Sequence, residues 1–449
     1  MLNFLRKIIP DTHPLRLLYH KLKGVVAALM YFFPADKMIV VGVTGTNGKT
    51  TTVNLITNIL NTAGYEAGMA STVNYQIKNN RWANVSKQTT MSPFQLQKLL
   101  RRMVKKNCKY AVLEVSSHAI TQSRVLGVNF DVAVITNVTR DHIEYHGSFN
   151  SYLNAKGKLF EKVSKGKRKF GIPKVTIINA DDRYYSFFNQ FVADRKISYG
   201  LKSATVYAEK LEKSPEGSHF ILHIPNNAIP IELKLPGEFN VYNSLAAAAA
   251  GVALQVPLEI IKKGLEKSAT IAGRYEHVDR GQKYSIIVDY AHAADSLESV
   301  LSMYRKLTSG TLFAVFGATG GGRDKSKRPK MGEVANEIAD YIVLTNDDPY
   351  EEGEWEIIEQ IAEGVPRKEG YNFWKIPDRR EAIRLVLTRA EENDCVVVAG
   401  KGAEEVMMIG GRKIPWNDKK VIEELLDREV EVEIYPDEWE KRPNVCMKS

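Results

Sequence analysis

Met38-Ile-Val-Val-Gly-Val-Thr44-Gly-Thr-Asn-Gly-Lys-Thr50 is the stretch that decides how the chain is read. A β-rich apolar run ends in a glycine turn, and Thr51 to Leu60 then reads as a helix. Such a turn aims backbone N–H groups and a helix N-terminus at phosphate oxygens. Thr46, Asn47, Gly48, Lys49 and Thr50 are therefore candidate nucleotide contacts, with Lys49 on the β- and γ-phosphates and Thr50 on Mg2+. Val43 stands where the general phosphate-loop pattern has its first glycine, so the match to that pattern is incomplete.

The same strand–helix rhythm continues outward. Tyr110 to Val115 and Val132 to Thr136 read as strands, and Ser92-Pro93 opens a helix to about Asn107. Residues 200–235 break the rhythm with alternating patterns such as His219-Phe-Ile-Leu-His-Ile224, which predict antiparallel strands or an edge insertion. An alanine-rich helix over Val241 to Leu254 follows, and near Gly273 the alternation restarts. Strands are expected at 285–290, 312–317, 341–345 and 395–400, with helices near 295–306, 328–339, 354–364, 379–391 and 417–427. The reading is α/β: a P-loop-containing parallel-sheet ATPase domain followed by a smaller Rossmann-like α/β domain. The expected segments are 1–37 (basic and apolar, helical), 38–272 (central, ATP-binding) and 273–449 (C-terminal).

Charge and cysteine content narrow the classes. Lys+Arg number 62 against 53 Asp+Glu, a mild basicity that suits an anionic partner. The basic run Arg323 to Lys330 lacks aromatic interleaving, so no nucleic-acid partner is expected. Cys108, Cys395 and Cys446 are far apart and odd in number, which argues against a disulfide framework or zinc site and for a reducing, cytoplasmic compartment. No run reaches the ~18 apolar residues of a membrane span, and the longest is Val25 to Phe33. Residues 13–33 are read as a helix packed on the first domain in preference to a peripheral membrane helix.

Glu114, Asp347, Asp348 and the Arg140-Asp141-His142 cluster each follow an apolar strand, where open α/β sheets place ligands. Together they suggest a carboxylate and imidazole ring around a metal–nucleotide. With these residues in view, the chain resembles the Mur ligases, and within them the E-type tripeptide synthetases. The resemblance runs from about Val40 to the C-terminus. It is carried in order by Gly45-Thr-Asn-Gly-Lys-Thr50, Thr89-Thr90, Glu114-Val-Ser-Ser-His118 with Gln122 and Arg124, Thr136-Asn137 with Arg140-Asp-His142, Tyr145-His-Gly147, Asn240-Val-Tyr-Asn243, Gly273-Arg274, Asp289-Tyr-Ala-His292, Gly322-Arg-Asp-Lys325 with Lys327-Arg-Pro329, and Gly400-Lys-Gly402.

The resemblance implies an ATP-dependent amide ligase of peptidoglycan synthesis. In it the γ-phosphate passes to the carboxylate of a muramoyl-L-alanyl-D-glutamate precursor and the amine of a diamino acid displaces phosphate. It implies Thr50 and Glu114 on one Mg2+, and Glu114, His142 and a carbamylated Lys156 on another. Asn137, Asn243, Arg274, Asp289 and His292 match ATP contacts. Thr89 and Thr90 match contacts to the muramoyl part, and Ser116, Gln122 and Arg124 contacts to the peptide. Arg323, Gly400 and Glu404 match contacts to the incoming amino acid. Read without the resemblance, Lys156 belongs to a solvated basic face with Lys158, Lys162, Lys165 and Lys167.

Two departures stand out. Relatives that add diaminopimelate carry Asp-Asn-Pro-Arg, whose arginine grips the distal carboxylate; here the run is Asp347-Asp348-Pro349-Tyr350. Asp348 would attract the side-chain ammonium of lysine, and Tyr350 offers only a neutral hydrogen bond, so lysine or another diamine is expected. The 44 residues before Gly45 are too few for the domain that grips the UDP in such relatives, so another surface, a partner or a different acceptor is expected to serve that end. The chain is expected to be a monomer. Competing readings are a superfamily ligase on another carboxylate, polyglutamate-type or lipid-linked, and a non-catalytic nucleotide-binding scaffold.

Overall fold

The computed structural model describes residues 12–84, 88–141, 143–214, 217–268, 272–322 and 324–429. The chain divides into two compact units at Tyr275/Glu276. His142 and Arg323, both singled out from the sequence, lie outside the described residues.

Unit 1 is built on one mixed sheet of eleven strands. In chain order these are β1 (Ile39–Thr44), β2 (Ala67–Ala70), β3 (Asn74–Ile77), β4 (Asn80–Ala83), β5 (Tyr110–Glu114), β6 (Val132–Ile135), β7 (Val175–Asn179), β8 (Arg195–Gly200), β9 (Val206–Lys213), β10 (Ser218–Ile224) and β11 (Asn227–Leu233). They lie in the order β11-β10-β9-β8-β7-β6-β1-β5-β2-β3-β4. β1 sits mid-sheet, parallel to β5 and β6, with Val43 opposite Glu114 and Thr44 opposite Ile135. The chain crosses from β5 to β6 over β1, which makes the carboxyl end of β1 a switch point, the crevice where such sheets take ligands. The strands in the middle are buried throughout, as β1 and β5 show, which is why they read as unbroken apolar runs.

The helices of unit 1 are α1 (Pro14–Met30), α2 (Lys49–Thr62), α3 (Pro93–Lys105), α4 (Ser117–Thr121), α5 (Ile143–His146), α6 (Phe149–Lys165), α7 (Tyr185–Asn189), α8 (Glu238–Ala253) and α9 (Leu258–Glu266). Ala246 to Ala250 are fully buried where α8 packs against α2. Alanine is required there because a larger side chain would hold the two backbones apart. The antiparallel strands expected between residues 200 and 235 are β9 to β11, at the sheet edge. The short meander β2-β3-β4 on the other edge was not anticipated, because Ala67-Gly-Met-Ala70 has none of the β-branched residues that advertise a strand.

Unit 2 has a six-stranded sheet in the order β12-β13-β17-β14-β15-β16. Its strands are β12 (Glu276–His277), β13 (Ser285–Asp289), β14 (Leu312–Phe316), β15 (Tyr341–Leu344), β16 (Phe373–Lys375) and β17 (Cys395–Ala399); a separate hairpin joins β18 (Val406–Ile409) to β19 (Arg412–Pro415). All pairings in the six-stranded sheet except β12–β13 are parallel. The helices are α10 (Ala294–Leu307), α11 (Lys327–Ile338), α12 (Glu354–Ala362), α13 (Arg379–Leu387) and α14 (Asp418–Glu429). The architecture in both units is the α/β parallel-sheet type read from the sequence.

A buried charge cluster pins the amino end of the central strands of unit 1. Asp131 is fully buried and pairs with Lys169 (2.6 Å) and Lys174 (2.9 Å), while accepting the Val40 N–H at 2.8 Å. Lys169 Nζ also donates to the carbonyls of Ala35, Met38 and Asn129. Asp131→Ala strands two buried ammonium groups, so a loss of about 3–5 kcal/mol is expected. Hydrogen exchange at β1 and β6 amides, compared with wild type, measures it.

Candidate functional site

The loop between β1 and α2 is shaped by two glycines. A Cβ on Gly45 would lie 1.8 Å from Thr136 Oγ1, and one on Gly48, at φ +80°, would lie 2.1 Å from Asn243 Oδ1. The close approach lets neighbours hold the loop. Thr46 N donates to the Asn137 carbonyl (2.9 Å), Asn47 N to Asn137 Oδ1 (3.0 Å) and Thr136 Oγ1 to the Asn47 carbonyl (2.6 Å). Gly48 caps α2 with no side chain bonding the first amides, which leaves a helix N-terminus with donors and positive dipole for an anion. Lys49 Nζ folds back onto the Thr46 carbonyl at 2.7 Å.

Beside this N-terminus stands Glu114, the buried last residue of β5. Thr50 Oγ1 donates to Glu114 Oε2 at 2.9 Å; Thr72 adds its N–H to Oε2 (2.8 Å) and its hydroxyl to Oε1 (2.9 Å). Thr72 was not singled out from the sequence, although it follows β2 as Glu114 ends β5, at the same edge of the sheet. An all-oxygen group of this kind suits a hard divalent cation.

Lys156 projects from α6 and is 1% exposed, not part of a solvated face. Its Nζ donates to the Gly45 carbonyl at 2.6 Å and lies 4.3 Å from the Tyr152 ring centre. Burial, reinforced by the Lys49 charge and opposed by Asp141, pushes its pKa well below the usual lysine value. Lys49 is lowered too, first by burial, with Glu114 and Asp141 acting against it and Arg274 with it. Two lysines therefore share one dry corner, where burial and their mutual repulsion make the Lys156 proton easier to lose than that of an ordinary lysine.

Thr90, Ser116, Gln122 and Arg124 come together next to Glu114. Thr90 Oγ1 donates to the Glu114 carbonyl (3.0 Å) and accepts from Ser116 N (3.1 Å); Arg124 bonds the Thr90 carbonyl (2.8 Å) and Gln122 Oε1. Gln122 in turn donates to Tyr145 Oη at 3.0 Å. Thr89 is half-buried beside them.

In unit 2 the candidates gather at the carboxyl ends of the strands. Gly400 N donates to the Asp289 carbonyl (3.1 Å), and a Cβ on Gly400 would lie 3.3 Å from Asp347 Oδ2. His292 Nδ1 sits 3.0 Å from the Tyr290 carbonyl. Asp348, expected to attract the side-chain ammonium of an incoming lysine, already holds one from the chain itself. Lys401, fully buried, bonds Asp348 Oδ1 at 3.0 Å, pairs with Glu404 and lies 3.7 Å from Asp347; Met408 N adds 2.7 Å to Asp348. Burial would lower the Lys401 pKa, but Asp347, Glu404 and Asp348 outweigh it and hold the ammonium above its ordinary value. The Arg379 guanidinium adds a second positive charge acting on Asp347 and Asp348.

The chain matches the Mur ligase middle domain over residues 43–251 and the Mur ligase glutamate ligase domain over residues 273–402. It is 38% identical over 417 residues to a UDP-N-acetylmuramoyl-L-alanyl-D-glutamate–2,6-diaminopimelate ligase of Geobacillus thermodenitrificans (strain NG80-2), covering 92% of this chain and 82% of that one. A solved structure of a ligase with the same name superposes with TM-score 0.60 at 33% identity, covering 88% and 79%. Mycobacterium tuberculosis folylpolyglutamate synthase complexed with ADP shares the fold alone, with TM-score 0.69 at 15% identity over 84% of this chain and 91% of that one. The chain belongs to the Mur ligase family of ATP-dependent carbon–nitrogen ligases.

Gly48→Ala is expected to destabilise unit 1 by at least about 1 kcal/mol more than Gly64→Ala. Gly64 has a similar φ of +76° but open space around its Cα, so the excess isolates the clash with Asn243. Denaturant melts of both variants measure it, and Asn243→Ala in the Gly48→Ala background should recover the difference.

Proposed function

We propose that this chain joins a diamino acid to the D-glutamate carboxylate of UDP-N-acetylmuramoyl-L-alanyl-D-glutamate, a step of peptidoglycan synthesis, through an acyl phosphate. The observation that carries the proposal is the uncapped α2 N-terminus with Lys49, set against the Thr50–Glu114 pair. The names of the relatives supply the acceptor class.

In this reading the ATP phosphates take the α2 amides, and the Lys49 ammonium exchanges the Thr46 carbonyl for phosphate oxygen. Asn137 and Asn243, already holding the loop, flank the nucleotide, with Arg274, Asp289 and His292 as further contacts. Thr89 and Thr90 face the muramoyl part, and Arg124, with Ser116 and Gln122, the peptide. The acceptor carboxylate attacks the γ-phosphorus and ADP leaves. The amine of the incoming residue then attacks the acyl carbon, loses a proton and expels phosphate. Lys49 and the helix dipole stabilise charge that grows on the transferred group, so they act by position and field rather than by bonding.

Mg2+ fits the oxygen donors of Thr50 and Glu114, with His142 and Lys156 as further ligands, and when bound it would neutralise charge on the phosphoryl oxygens. Lys156 qualifies as a ligand only after its neutral amine attacks CO2: an N–C bond forms, the nitrogen loses a proton and a carbamate anion results. Carbamylation converts the Lys49–Lys156 repulsion into an attraction. Lys156→Ala should lower turnover by roughly a hundredfold or more. Phosphate release from ATP and the acceptor measures it, and isotopically labelled bicarbonate should leave a carbamate signal in wild type that the variant lacks.

For the incoming residue, Asp347, Asp348 and Glu404 already gather round one ammonium, that of Lys401, a chemistry that suits the ammonium end of a diamino acid, and Tyr350, unlike arginine, brings no charge to grip a distal carboxylate. Lysine is therefore expected to be ligated faster than meso-diaminopimelate. Separate assays with each amino acid, with the product identified by mass, decide it; ligation of meso-diaminopimelate alone overturns the assignment.

A further inference from the structure

Helix α1 is packed the wrong way round for a helix that only completes a core. Its buried residues are the small ones, Gly24, Ala27 and Ala28. At Gly24 a Cβ would stand 2.8 Å from the Ser123 carbonyl oxygen, and the Ala28 Cβ lies 2.4 Å from where one on Gly127 would be, so the helix is clamped against the loop that follows α4. Its large side chains point outward: Leu15 is 66% exposed, Leu22 57%, Val26 49%, Leu29 56%, and Phe32, just past the helix end, 74%. At 3.6 residues per turn, the exposed apolar residues from Leu15 to Met30 share one arc of roughly 140°.

The charges complete the pattern. On the same wheel Arg16 and Lys23 fall on one margin of the apolar arc and Lys21 on the other, and residues 14–33 contain no Asp or Glu. Long basic side chains flanking an apolar stripe let the stem lie on hydrocarbon while the head reaches phosphate. Basic residues on both margins with no acid between them match an anionic lipid surface, which presents the same negative charge along the whole length of the stripe. No helix among the described residues is long and apolar enough to cross a membrane, so a helix of this kind lies on the surface and does not span it.

We infer that α1 is a membrane-docking helix that seats unit 1 on an anionic phospholipid surface, with Leu15, Leu18, Leu22, Val26 and Leu29 in the acyl boundary and Lys21 and Lys23 at the headgroups. The loop that clamps α1 continues directly from Gln122 and Arg124, so docking brings the proposed acceptor residues close to the lipid surface.

Sedimentation of the full-length protein with vesicles of phosphatidylcholine, with or without phosphatidylglycerol, tests the inference. Wild type is expected to pellet with the anionic vesicles and to be released by salt. Leu22→Glu combined with Val26→Glu should cut binding by roughly tenfold or more, with circular dichroism and ligase turnover unchanged. Lys21→Glu with Lys23→Glu should remove the preference for anionic lipid. Absence of wild-type binding, or equal binding to both vesicle types, overturns the inference. So does a wild-type dimer that the Leu22→Glu, Val26→Glu variant splits without any vesicle binding, because the face then belongs to a second copy of the chain.

Discussion

The lack of room for a Cβ at Gly45 and Gly48 is the constraint on which unit 1 depends. Because those two residues carry no side chain, Thr136 and Asn243 press against the β1–α2 loop and fix its backbone. A fixed loop keeps the first amides of α2 aimed outward and uncapped. The register of β1 between β5 and β6 then decides what surrounds them: Glu114 on one side, and Thr136 with Asn137 on the other. An anion site, a carboxylate and the loop's clamps thus follow from one strand being central.

The two ends of that sheet handle buried charge in opposite ways. At the amino end Asp131 meets two lysines, and backbone carbonyls take up the remaining protons, so the cluster is satisfied and serves stability. At the carboxyl end Lys156 has a carbonyl and an aromatic ring, with Lys49 as an electrostatic opponent. Buried groups held away from their ordinary ionisation are characteristic of sites that do chemistry, since the strain is relieved when a ligand or modification arrives.

Much of this was legible in the chain itself. The apolar run before Thr44, the glycines after it and the helix from Lys49 are neighbours in sequence, and their local signals agree. Glu114 ends a strand and Thr50 opens the helix after the glycine turn, positions that sequence periodicity can locate, whereas Thr90 was marked only by the family resemblance. Thr72 was not legible, because its bond to Glu114 joins residues 42 apart and nothing around Thr72 announces it. Lys401 was visible as part of Gly400-Lys-Gly402 but its role was not: only folding showed that it neutralises part of the charge on Asp348.

The sequence by itself determined the α/β rhythm, the phosphate-type loop and the family, and nominated most of the candidate side chains, because these are written in short-range pattern and motif order. Tertiary structure alone decided that Lys156 is buried and opposed by Lys49, that Asp348 is internally paired, and that α1 turns its small residues inward and its large ones out. The amphipathic period of α1 is the same whichever face packs. The choice between faces rests on the close approach of Gly24 to Ser123 and of Ala28 to Gly127, contacts about a hundred residues away along the chain that no local pattern records.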